Sequence, residues 1–144
     1  MKLDKVIKSA TRSLLILATL VAFSAHAGIA VIVHPSNTDT LDRNDVAHIF
    51  LGKTKAFPSG RKAVPLDQGE DSLLRAAFNQ TVLKKSPQKL RSYWAKQMFT
   101  GQGEPPKVVD GDAAMLKAVA ENPSAIGYIE DVNVDDSVHV VYLF

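Results

Sequence analysis

Apolar residues along this chain switch between two periods, and the switches outline its elements. GIAVIV, residues 28–33, is a continuous β-branched run of the length of a buried strand, and His34-Pro35 ends it. After the polar SNTDT, Asp42 precedes Asp45 by three residues ahead of VAHIF, which predicts a helix capped by Asp42 with Val46, Ile49 and Phe50 inward. Gly52 closes that helix, and FPSG leads into AVPL, a second strand whose Pro65 calls for an edge, an end or a bulge. From Asp71 the period lengthens again: Leu74, Ala77, Phe78 and Val82 recur at helical spacing until Lys84-Lys85. Ser86-Pro87 restarts a helix, with serine as cap and proline at its first position, and Leu90, Trp94, Met98, Tyr93 and Phe99 are expected to form its core stripe.

Gly101, Gly103, Pro105 and Pro106 make a flexible corner before the brief extended segment Lys107-Val108-Val109. DGDAAMLKAVAENP predicts a further helix turning Met115, Leu116 and Val119 to one side, stopped by Asn122-Pro123. AIGYI and VHVVYLF complete the strands, with Gly127 allowing a close approach to the backbone. Strands alternating with helices imply an α/β layered domain with a small sheet, and neither an internal repeat nor a low-complexity segment interrupts it.

The first residues follow a different pattern. Lys2, Lys5, Lys8 and Arg12 precede the apolar run SLLILATLVAF, and Ala25-His26-Ala27 has the small-residue form of a cleavage site. Residues 1–27 are therefore expected to be a secretory signal peptide, leaving residues 28–144 as a single domain exported to the periplasm. This changes the charge: the leader holds four basic residues and Asp4, so 13 basic and 14 acidic residues remain and the net charge turns from +2 to −1. Nothing basic enough for nucleic-acid binding is left. The lack of cysteine excludes disulfides and thiol chemistry.

Catalytic patterns are sparse. His34, His48 and His139 are scattered and fit no metal-ligand spacing, so neither a metal nor another cofactor is expected. Ser86 and Lys89 fit S-x-x-K, but the serine already serves as a helix cap and the companion motifs are missing. Asp110-Gly111-Asp112 lacks the rest of a calcium loop and reads as helix capping. Loops opening helices remain, because unpaired N–H donors there favour an anion. Two segments qualify: Ser36, Asn37 and Thr38 after the first strand, and Gln68, Gly69 and Ser72 after the second, with Arg75 one turn later. Such chemistry is binding, with no nucleophile or enzyme activity implied.

In order, VAHIFLGKTKAF, VPLDQGEDSLLRAAF, LRSYWAKQMFTG and AENPSAIGYI resemble the phosphate-type substrate-binding proteins of bacterial ABC transporters across nearly all of the exported chain. The resemblance implies a secreted, non-catalytic protein that delivers an oxyanion to a membrane permease. Family members fold as two α/β lobes around a cleft. This chain resembles mainly the second-lobe pattern, which implies a periplasmic-binding-protein-like single lobe: a small mixed sheet flanked by helices. The implied ligand is inorganic phosphate or a related oxyanion, in a concavity joining Ser36–Thr38 to Gln68, Ser72 and Arg75. A homodimer would rebuild a two-sided cleft.

The family's arginine, followed after three residues by Ser-Gly-Thr, falls here on Asp67 and then on Asp71, Ser72 and Leu73. Asp67, Glu70 and Asp71 would repel phosphate. Arg75 either neutralises Asp71 or turns back toward the pocket. The alternative implied is an accessory or protein-interaction module that kept the lobe and lost the anion.

Overall fold

The computed structural model describes residues 28–144; the expected signal peptide lies outside the described residues. Five strands form one mixed sheet in the order β3-β2-β4-β1-β5. Strand β1 (Ile29–Val33) lies antiparallel to both β4 (Ala125–Glu130) and β5 (His139–Leu143). Strand β2 (Val64–Asp67) runs parallel to β4 and to the two-residue β3 (Lys107–Val108).

β1 explains the layering. Ile29, Val31 and Val33 enter a large cluster with Phe50, Phe78, Leu90 and Trp94, while Ala30 and Ile32 enter a second one with Met115 and Val119. All five residues are buried because helices cover both sheet faces, which is why the sequence shows a continuous apolar run rather than alternation. On one side pack α1 (Arg43–Phe50), α2 (Leu73–Phe78) and α3 (Pro87–Phe99); on the other packs α4 (Asp112–Ala120). Gly127 is where α4 touches the sheet: a Cβ there would meet the Met115 sulfur at 2.5 Å.

Local signals set most of the boundaries. Asp42 and Asp45 form a reciprocal capping box, each carboxylate accepting the other's backbone N–H at 2.9 Å. Ser86 caps α3 by accepting from Lys89 N, which places this serine in a structural role. Pro65 pairs with β4 beside Ile126, whereas β3 pairs only with Leu66 and Asp67, so the proline meets no neighbour on its other side.

Three expectations need correction. The helix expected to run from Asp71 through Val82 starts after Ser72 and changes at Asn79 into a π-helical turn, Asn79–Leu83, closed by Lys84 at φ 54°. The stripe on α3 is shorter than expected: Leu90 and Trp94 are buried, but Met98 is 54% and Phe99 93% exposed. Met98 borders a groove that no described element fills. Gly111, not an aspartate side chain, stands at the start of α4, because the Asp112 carboxylate is engaged elsewhere.

Candidate functional site

The corner after β2 is held together by one buried charge. Asp67, 7% exposed at the end of β2, accepts hydrogen bonds from the Tyr128 hydroxyl and from Gln68 N at 2.9 Å. Arg75, one turn into α2, places Nε 3.2 Å from the other carboxylate oxygen and donates from Nη1 to Gln68 O at 3.1 Å. The guanidinium therefore braces its own loop through Asp67, a partner that neither alternative for Arg75 named, while the side chain also lines a concavity of about 400 Å³ together with Arg91, Glu70 and Asp71.

Gln68 is saturated as well. Its Nε2 donates to Asp112 Oδ1 at 3.1 Å and to Tyr128 O at 3.0 Å, while Oε1 accepts from Gly111 N at 3.0 Å. The second Asp112 oxygen accepts from Glu130 N and from Asn133 Nδ2 at 2.8 Å. Ser72 Oγ caps α2 by accepting from Arg75 N at 3.2 Å. A Cβ on Gly69 would sit 1.9 Å from Asp110 Oδ1, so glycine is what lets that carboxylate lean over the loop. The concavity of about 540 Å³ outside this corner is lined by Glu70, Asp71, Asp110, Asp112 and Glu130, with no lysine or arginine.

Ser36, Asn37 and Thr38 are not part of this corner. β1 is antiparallel to β4, with Val33 opposite Ile126, and β2 is parallel to it, with Pro65 beside Ile126. The loop after β1 therefore opens at the end of the sheet where β2 begins, while Gln68 lies past the end where β2 finishes. The single concavity expected to join the two segments is overturned by strand direction. Within its own loop Ser36 Oγ pairs with His34 Nδ1 at 2.8 Å, buried Asn37 accepts from Asp39 N at 2.9 Å, and Thr38 is exposed.

Burial pushes the Asp67 carboxyl above its ordinary value of 3.8, against the Tyr128 hydroxyl, Arg75 and the Gln68 amide, which each lower it. Burial, and then the adjacent Asp67 charge and hydrogen bond, push the Tyr128 hydroxyl far up, so it keeps its proton and donates it to Asp67 while accepting from Gln68 N at 3.4 Å. A carboxyl whose folded value exceeds its unfolded one favours the fold when protonated. That contribution is complete below the unfolded value and is lost as pH rises through the folded one. We therefore expect the stability advantage of wild type over Asp67→Asn, measured in urea, to be largest near pH 4 and to shrink toward neutrality. An advantage that grows with pH would mean that the Arg75 charge outweighs burial.

No family model matches this chain, and no curated protein matches it. Solved structures do. A phosphate ABC transporter substrate-binding protein from Clostridium perfringens, with bound phosphate, superposes with a TM-score of 0.63 at 27% identity, over 79% of this chain and 44% of that one. The fold matches a periplasmic-binding-protein-like single lobe. An ABC-type phosphate transport receptor from Vibrio cholerae gives a TM-score of 0.64 at 22% identity, covering 79% of this chain and 45% of its own. PstS from Borrelia burgdorferi gives 0.59 at 15%, covering 80% and 47%. The lobe thus spans less than half the length of each, and the resemblance to phosphate-type substrate-binding proteins holds in three dimensions.

The sequence reading missed Tyr128 and Asp112, which organise the corner from β4 and α4. Their partners are 61 and 44 residues away, and no local spacing encodes such contacts.

Proposed function

We propose that this chain is a non-catalytic periplasmic lobe of the phosphate-transport substrate-binding type that acts as an accessory, protein-interacting module and does not hold phosphate at the Gln68 corner. The observation that carries this reading is the use of Arg75 by Asp67. With Arg75 paired to Asp67 and the Gln68 amide engaged, the concavity on the Asp110 side of the corner offers an anion only carboxylate-lined space. Desolvating phosphate beside those carboxylates costs more than a helix start returns, since a favourable terminal charge is worth only about 0.3–1 kcal/mol. A permease complex of the ABC type is the setting that the similarity to transport receptors supports.

A second reading keeps oxyanion binding for such a permease, and the phosphate-bound Clostridium perfringens structure favours it. Calorimetric titration of the exported chain with phosphate, sulfate and molybdate separates the two. We expect no binding tighter than about 1 mM, roughly −4 kcal/mol. Micromolar phosphate binding would replace the first reading by the second.

A further inference from the structure

Basic residues cluster in the stretch that leads from α1 into β2, with Asp39 bonded to Ser59 as the acid beside it. Between Asp45 and Asp67 there is no acidic residue, yet Lys53, Lys55, Arg61 and Lys62 fall there. Lys55 and Lys62 border the groove of about 650 Å³ between α1, the start of β2 and the last turns of α3, whose apolar wall includes Trp94, Met98 and Pro106. Among the described residues only two ion pairs form, Arg75–Asp67 and Lys117–Glu121, so neither groove lysine is neutralised. One acid, Glu104, shares the rim.

Past the other end of β2 the pattern is reversed. Glu70 and Asp71 are exposed, Asp110 stands beside them, and Leu73 projects from the same turn at 88% exposure. An apolar tip ringed by carboxylates complements an apolar groove bordered by lysines in both charge and hydropathy. The net charge of −1 leaves almost no long-range repulsion to keep copies apart.

We propose that the groove receives the Glu70–Leu73 tip of a second copy of this chain, with Leu73 against Trp94 and Met98 and the carboxylates facing Lys55 and Lys62. The inference deepens the interaction-module reading and rests on it. Contact between two different patches either closes reciprocally as a pair or extends head to tail.

Sedimentation velocity of the exported chain tests it, with two charge-reversed variants that leave the core untouched: Lys55→Glu/Lys62→Glu and Glu70→Lys/Asp71→Lys. Wild type is expected to associate as concentration rises, and about tenfold more weakly when salt rises from about 0.05 to 0.5 M. Each variant alone should remain monomeric with unchanged circular dichroism, and an equimolar mixture should associate again, because reversed partners match. Leu73→Asp should abolish association without altering the fold. A monomeric wild type at about 1 mM overturns the proposal, as do single variants that associate like wild type or a mixture that stays monomeric. Phosphate binding in the calorimetric titration would instead overturn the interaction-module reading while leaving the sedimentation result standing.

Discussion

Asp67→Ala is expected to destabilise the lobe by about 3–4 kcal/mol, the loss that follows when one member of a buried ion pair is removed. Two groups lose their partner at once. The Tyr128 hydroxyl is left buried without an acceptor, which alone costs roughly 1–3 kcal/mol. Arg75 keeps Gln68 O and some contact with solvent, so its share is smaller. Asp67→Asn retains an acceptor for Tyr128 but turns an amide donor toward the Arg75 guanidinium, and its cost should be about 1–2 kcal/mol. Asp67→Asn combined with Arg75→Met should then recover stability relative to Asp67→Asn alone, because replacing both members of a buried pair is commonly close to neutral. Urea unfolding of the four proteins measures the series. A loss below about 1 kcal/mol for Asp67→Ala would mean that the corner is braced by Gln68 and Asp112 alone, and would return Arg75 to the set of groups free to meet an anion.

The elements written in local chemistry were legible in the sequence. GIAVIV, the Asp42–Asp45 box and the Ser86-Pro87 start stand where spacing and capping place them. Those features need no knowledge of the rest of the chain. Strand direction does need it: hydropathy gives a strand's faces but not its sense, so Ser36–Thr38 and Gln68–Ser72 look alike as helix-opening loops while lying at opposite ends of the sheet. Asp67 illustrates the same limit. Counted along the sequence it is one of three acids that repel phosphate; in the fold it turns inward to Tyr128 and Arg75 and does not line the concavity outside the corner. Met98 and Phe99 carry the helical period of a core stripe, yet both are exposed, Met98 at the border of a groove, because nothing in residues 28–144 covers that turn. The acid-free stretch between Asp45 and Asp67 was the one available sign of this basic end, and it is a pattern of absence that motif reading passes over.

Phe78→Ala is expected to cost about 3–5 kcal/mol, a large share of the roughly 5–15 kcal/mol that holds a domain of this size. Phe78 is fully buried between the aromatic rings of two other elements: it stacks on Tyr128 at 3.9 Å with planes 1° apart and meets Phe50 edge-on at 4.8 Å. Truncation removes the burial of a whole ring, leaves a cavity under the sheet, and forfeits aromatic contacts worth about 0.5–1.5 kcal/mol each. Phe78→Leu keeps most of the volume and should cost roughly half as much. The second consequence is at the site. The Tyr128 ring is held on one face by Phe78, so its hydroxyl is aimed at Asp67 by packing as well as by hydrogen bonding. Loss of the stack should therefore loosen the Asp67–Arg75 brace, and Phe78→Ala combined with Asp67→Ala should destabilise by less than the sum of the two single losses. Additive losses in urea unfolding would show that the aromatic stack and the buried charge act independently, and that the closed corner does not depend on the core beneath it.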